Sequence, residues 1–132
     1  MRYFILLIAI ISTLSAGLNW SSDYSAALKQ AAKEKKDVYV FLGSEYCPFC
    51  EKFKKDVLSQ DEVVKRLKKD FVLVYLSRDI DDIPPHLEVK PVPRHYFLTK
   101  KGEIIYTTIG SRSKEGFYEL LDEVKEAKKE KK

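Results

Sequence analysis

The sequence has little excess charge and no basic stripe. Lysine and arginine total 24 against 20 aspartates and glutamates, a net charge of +4, and the two signs are interleaved along most of the chain. Such mixing is typical of a solvated surface, so nucleic acid is not expected as a partner. Hydrophobic residues make up 45% and charged residues 33%, which argues against extensive disorder. A chain of 132 residues has room for one domain.

Long apolar runs are also missing, apart from one at the N-terminus. Residues 3–14 are apolar except for Ser12 and Thr13, Arg2 precedes them, and small residues follow at 15–17. The run is shorter than the roughly 20 residues that a membrane span needs. We therefore expect a signal peptide at residues 1–17 and a mature domain at 18–132, in the periplasm or otherwise secreted. An uncleaved N-terminal anchor is the alternative, and no cysteine follows the run to indicate a lipoprotein.

Cysteine is scarce, and its two copies lie close together as Cys47 and Cys50. In an oxidising compartment such a pair is either a structural disulfide or a redox centre. A disulfide that encloses two residues restricts the unfolded chain only slightly, because the entropy of loop closure grows with loop length. The spacing therefore favours a reversible redox switch.

Hydrophobic periodicity predicts the order α-β-α-(α)-β-loop-β-β-α. The long helical connection between the first two strands requires parallel pairing, and the last two strands form an antiparallel hairpin. The economical architecture is an α/β fold, a mixed four-stranded sheet flanked by helices on both faces. The predicted elements are a helix at 23–35 after Ser22, a strand at 38–42, a helix from Cys47, a helix restarted by a Ser59/Glu62 capping box, a strand at 71–76, a polar loop at 79–88, strands at 95–98 and 104–108, and a helix opened by Ser113.

The CxxC motif falls where the first strand turns into a helix. Pro48 suits the first helical position, where its missing N–H has no cost. The helix N-terminus then stabilises a Cys47 thiolate and lowers its pKa. Cys50 lies on the same helix face and is expected to be the more buried, resolving thiol.

These features resemble the thioredoxin superfamily, and small periplasmic thioredoxin-like proteins in particular. The resemblance covers nearly all of residues 20–130: Tyr46 before the first cysteine, Val92-Pro93 at the head of the third strand, Lys101-Gly102-Glu103 in the hairpin, and Gly110 and Ser113 before the last helix. It implies a cis bond before Pro93, facing the disulfide; Pro91 is expected to be trans. It also implies a peptide groove lined by Tyr46, Val92 and Pro93. We assign substrate binding to Tyr46, Pro48, Phe49, Val92 and Pro93.

The sequence also departs from this family. Phe41 stands where thioredoxins keep a buried proton-transferring aspartate. Glu45 is the nearest acid and either serves partly in its place or is a solvent-facing turn residue. Arg94 either favours the Cys47 thiolate, contacts substrate, or points into water. His95 is expected to alternate to the opposite side of the strand, which argues against a catalytic role.

The favoured function is thiol–disulfide exchange on cysteine-containing exported proteins by a monomer, with a membrane or soluble redox partner and no cofactor. The alternatives are copper or metal handling, for which only His86 and His95 are available as further ligands, and a folding helper without turnover. The direction of electron flow stays open. The Lys-rich end at 125–132 is expected to extend the last helix into solvent; binding to an acidic partner or a membrane is the alternative.

Overall fold

The computed structural model describes residue 18 and residues 20–132, so the expected signal peptide at 1–17 lies outside the described residues. Within that part of the chain, no helix is long and apolar enough to cross a membrane. The elements are α1 (Tyr24–Glu34), β1 (Asp37–Gly43), α2 (Pro48–Phe53) continued by a π-helical turn (Lys54–Leu58), α3 (Asp61–Asp70), β2 (Phe71–Ser77), β3 (Arg94–Leu98), β4 (Ile104–Ile109) and α4 (Lys114–Glu130).

The four strands form one sheet in the order β2-β1-β3-β4. β1 pairs with β2 in parallel and with β3 antiparallel, and β3 pairs antiparallel with β4. In this register Phe41 at the centre of β1 has Tyr75 on one side and His95 on the other. The predicted mixed four-stranded sheet is confirmed.

Alternation along the buried strands divides the core into two faces. On one face Val38, Val40 and Leu42 of β1 pack beneath α1, which contributes Ala27 and Ala31. On the other face the β1 side chains are Tyr39 and Phe41, and they pack against α2, α3 and α4. Both cysteines belong to this second face, which we call the motif face. Helices therefore cover both sides of the sheet, as predicted.

Two predicted helix caps are wrong. α1 begins at Tyr24, close to the predicted start, but its N-cap is Asp23 and not Ser22: the Asp23 side chain accepts the Ala26 N–H at 2.9 Å. The Ser59/Glu62 capping box does not form, because the π-helical turn carries the preceding helix on to Leu58 and the Ser59 hydroxyl donates back to the Lys55 carbonyl. α3 then starts after Gln60 without a side-chain cap.

As predicted, the lysine-rich end at 125–132 extends the last helix: α4 runs to Glu130, and most of these residues are exposed. Two of its lysines also contact the sheet. Lys128 Nζ lies 2.5 Å from the Asp37 carboxylate at the start of β1. Lys131 Nζ donates to the Ile104 and Ile105 carbonyls of the edge strand β4, at 2.9 and 3.0 Å. The last turn of α4 therefore covers exposed backbone at the end of the sheet opposite the motif.

Candidate active site

Cys47 is the N-cap residue of α2, at the end of the turn that follows β1. Pro48 occupies the first turn as predicted, and the Cys47 sulfur accepts a hydrogen bond from the Cys50 N–H at 3.1 Å. The two sulfurs are joined in a disulfide whose Cα atoms lie 5.2 Å apart. Backbone N–H groups at a helix start stabilise negative charge, so the geometry suits a thiolate on Cys47 after reduction.

The two cysteines differ in exposure. Cys50 is fully buried, whereas Cys47 keeps 7% of its surface accessible. Beside them, Tyr46 and Phe49 are 92% and 66% exposed, which is unusual for large aromatic residues. An incoming group can therefore reach Cys47 first, and Cys50 is the more buried thiol, as expected.

A groove of about 930 Å³ begins next to the motif. Phe49, Val92 and Pro93 form its apolar end, and it continues over Val57 to the loop and first turn of α4 at 110–115. The peptide bonds before Pro91 and Pro93 are both cis, so the trans bond expected at Pro91 is wrong.

The other two residues assigned to substrate binding do not line this groove. Tyr46, which was expected to line it with Val92 and Pro93, stands in solvent beside the motif, and this corrects the prediction. Pro48 is exposed at the first turn of α2. Their assignment to substrate binding stays a prediction.

Arg94 was expected either to act near Cys47 or to point into water. The structure shows neither, since the side chain is buried on the sheet face opposite the motif. It is 8% exposed, and its guanidinium stacks 5.5 Å from the Tyr96 ring centroid, on the α1 face of the sheet. It donates to the Lys90 carbonyl at 3.0 Å and pairs with Glu88 at 3.1 Å. Arg94 thus braces the loop that leads into β3.

His95 alternates with Arg94 as predicted, but it is His95 that lies on the motif face. It is fully buried among aromatic rings, with the Phe53 ring centroid at 5.1 Å. Its Nε2 lies 2.8 Å from the Gly110 carbonyl, which only accepts, so Nε2 carries the hydrogen and Nδ1 accepts from the Tyr39 hydroxyl at 2.6 Å. Burial lowers the pKa of His95 from 6.5 to about 4; the bond to Gly110 opposes this and Arg112 adds to it. Burial likewise raises the pKa of Tyr39 well above 10.

Glu45 is an exposed turn residue, as one of the two hypotheses held. Its backbone N–H donates to the Asp79 carboxylate at 2.7 Å.

Beneath the motif, the Phe41 ring packs against Phe53 and Tyr75, with ring centroids 5.4 and 5.9 Å from that of Phe41. The position that holds an acid in thioredoxins is therefore an aromatic cluster.

Sequence reasoning missed Tyr75 and Lys54, which lie near Cys50. The Tyr75 hydroxyl is 3.4 Å from Lys54 Nζ, and Lys54 pairs with Glu51 at 2.6 Å. The sequence alone could not bring these residues together, because the parallel register of β2 against β1 is what places Tyr75 beside Phe41.

Neither histidine lies in position to complete a metal site with the cysteines. Both ring nitrogens of His95 have hydrogen-bond partners, and His86 Nε2 lies 2.8 Å from the Gly102 carbonyl in the distant hairpin. Across residues 18 and 20–132, no group of three or more histidine, cysteine or acidic side chains is arranged to hold a metal ion.

Comparison with known proteins identifies the class. A family model described as thioredoxin-like matches residues 19–100, more than half of the chain. The chain therefore belongs to the thioredoxin-like family, and its CxxC pair and sheet are consistent with thiol–disulfide exchange.

Three individual relatives share 20–28% of their aligned residues with this chain. The solved thioredoxin from Thermus thermophilus is 28% identical, with a TM-score of 0.62 over 76% of this chain and 82% of that one. A DsbH oxidoreductase shares the fold at 20% identity and a TM-score of 0.62, over 84% of each chain. Mouse anterior gradient protein 3 is 28% identical over 65% of this chain. The chain spans between about half and two thirds of the length of the curated relatives that it matches.

Proposed function

We propose that this protein is an exported thiol–disulfide oxidoreductase that exchanges electrons with protein substrates through Cys47 and Cys50. The observation that carries the proposal is the disulfide at the start of α2, in which Cys47 keeps a small accessible surface and Cys50 is fully buried. A disulfide that closes two residues adds little stability by restricting the unfolded chain, so its position suits reactivity.

In the reductive direction the Cys47 thiolate attacks one sulfur of a substrate disulfide. A mixed disulfide forms, and the other substrate sulfur leaves as a thiolate and takes up a proton. Cys50 then loses its proton and attacks Cys47, which releases the second substrate thiol and restores the Cys47–Cys50 disulfide. Two electrons pass from the protein to the substrate, and a redox partner must return them. The reverse sequence oxidises a substrate dithiol.

The groove supports an extended peptide as substrate. Phe49, Val92 and Pro93 give it an apolar end beside the motif. The rest of its lining carries charges of both signs, from Lys52, Asp56, Lys114 and Glu115. The backbone at Val92 precedes β3 and is suited to pair with an added strand. This favours cysteine-containing polypeptides over small disulfides.

Export is supported by the apolar run and the small residues at 1–17, which are typical of a signal peptide. The partners in this proposal are cysteine-containing exported proteins and a membrane or soluble redox partner, and the protein acts as a monomer.

Reduction of insulin disulfides with dithiothreitol as electron donor tests the proposal. The wild type should accelerate insulin precipitation catalytically, whereas Cys47→Ser and Cys50→Ser should lose turnover. Ser25→Ala, which changes an exposed serine of α1 away from the motif, serves as the control. A wild type no faster than dithiothreitol alone would contradict the proposal and favour a binding role.

A further inference from the structure

The resolving thiol sits in an apolar environment that disfavours its ionised form. Cys50 is fully buried, and Phe41 replaces the acid expected beneath it. Burial in such surroundings raises the pKa of a thiol. Resolution of a mixed disulfide nevertheless requires Cys50 to give up its proton, so a nearby polar group would have a strong effect.

Gly43 shows which polar group is close. A methyl group placed on its Cα would lie 3.4 Å from the Cys50 sulfur and 3.3 Å from the Tyr75 hydroxyl oxygen. The two atoms thus lie on the same side of Gly43, close enough that a side chain there would crowd both of them. The Tyr75 hydroxyl approaches Gly43 from β2, on the same face as the motif.

Lys54 is a hydrogen-bond donor to the Tyr75 hydroxyl oxygen. Its ammonium lies 3.4 Å from the Tyr75 oxygen and 4.5 Å from the ring centroid. An ammonium only donates, so the tyrosine oxygen accepts and its own hydrogen is free to point elsewhere. Burial lowers the pKa of Lys54, but the hydrogen bond to Glu51 and the contact with Tyr75 outweigh this and raise it, so the cation persists.

Other titratable groups around the motif either face solvent or bond to one another. Glu45 and Tyr46 are exposed in the turn before Cys47. Tyr39 and His95, from β1 and β3, bond to each other and to Gly110. On the outer side of α2, Lys52 pairs with Asp56 at 3.0 Å. The Tyr75 hydroxyl, contacted by Lys54, borders Gly43 together with the Cys50 sulfur and has a hydrogen to donate.

We propose that the Tyr75 hydroxyl donates a hydrogen bond to the Cys50 thiolate and that Lys54 acts as its positioning residue, so that together they promote the resolving step. This inference rests on the proposed function. In that step the Cys50 S–H bond breaks, the Cys50–Cys47 bond forms, and the bond from Cys47 to the substrate sulfur breaks. The proton lost from Cys50 is balanced by the proton that the leaving sulfur takes up.

The two phases of reaction with Ellman's reagent separate attack from resolution. The first thionitrobenzoate is released when Cys47 attacks, and the second when Cys50 resolves the mixed disulfide. Stopped-flow traces over a pH series should give a slower second phase in Tyr75→Phe and Lys54→Met. Since a hydrogen bond to a charged group is lost, we expect about a tenfold loss near neutral pH and a midpoint displaced to higher pH. The first phase should be unchanged.

Lys55→Met is the matched control, because it removes the same charge one residue later, from an exposed side chain. Thermal unfolding of the oxidised variants checks the fold, and Lys54→Met keeps the test open if Tyr75→Phe folds poorly. The inference would be overturned if Tyr75→Phe and Lys54→Met showed the same pH profile for the second phase as the wild type. It would also be overturned if Lys55→Met displaced the midpoint of that profile as much as Lys54→Met does. Absence of a second phase in the wild type would instead contradict the proposed function.

Discussion

Acidification provides a test of the buried hydrogen-bonded chain from Tyr39 through His95 to Gly110. Protonation places a positive charge on a fully buried ring near Arg112 and forces the Tyr39 hydroxyl to stop donating to Nδ1. The unfolded chain takes up this proton near pH 6.5, and the folded protein only near pH 4. Between these values the unfolded state binds more protons, so the free energy of unfolding falls as the pH drops through this window.

The interval between the two pKa values corresponds to roughly 3 kcal/mol at full titration. Urea unfolding of the oxidised protein between pH 7 and pH 4 should show this loss in the wild type. His95→Gln keeps a donor and an acceptor but does not titrate, so its loss should be smaller by about that amount. Tyr39→Phe is the matched control, because it keeps the imidazole. It should be less stable by about 1–3 kcal/mol near pH 7, since it leaves Nδ1 unpaired, and should retain a pH dependence. Equal pH dependence in the wild type and His95→Gln would refute the reasoning.

Three further predictions concern the groove, the tail and Arg94. In steady-state assays, Phe49→Ala should raise the KM for a protein disulfide several-fold and leave the KM for a small disulfide unchanged. Ile80→Ala also removes an exposed apolar side chain but lies outside the groove, so it should change neither KM value. Deletion of residues 127–132 should leave insulin reduction unchanged but lower the free energy of unfolding by about 1 kcal/mol in urea titrations; a large loss of activity would show that the tail recruits a partner. Arg94→Met should cost about 2 kcal/mol by loosening Glu88 and Lys90, yet leave the alkylation rate of Cys47 unchanged; a slower thiol would restore the modulator hypothesis.

The sheet and the motif's position could be predicted because each depends on local patterns. The buried runs at 38–42 and 71–76, the long helical connection and the Lys101-Gly102-Glu103 turn together allow few topologies. The Cys47–Pro48 pair likewise matches the chemistry of a helix start. Ser113 was correctly identified as a cap, since its side chain accepts the Gly116 N–H at 3.1 Å.

The features that were missed depend on tertiary register. Successive side chains of a strand point to opposite faces of the sheet, so the sequence predicts that Arg94 and His95 lie on different faces. Which of the two lies on the motif face depends on how β3 pairs with β1. The π-helical turn, and with it the fate of Ser59, inserts a residue that periodicity does not mark. Tyr75 and Lys54 meet only because β2 packs against the π-helical turn that follows α2, and the Tyr75 hydroxyl approaches Cys50 only because both border Gly43.

The central claim is that Cys47 attacks and Cys50 resolves, and trapping of the mixed disulfide tests it most directly. Reduced Cys50→Ser and Cys47→Ser are each mixed with a peptide that contains one disulfide, quenched with acid, and analysed by intact mass. Cys50→Ser should accumulate a covalent adduct with the peptide through Cys47, and Cys47→Ser should accumulate little or none because its remaining thiol is buried. Equal adducts in both variants, or none in Cys50→Ser, would contradict the assignment of the site.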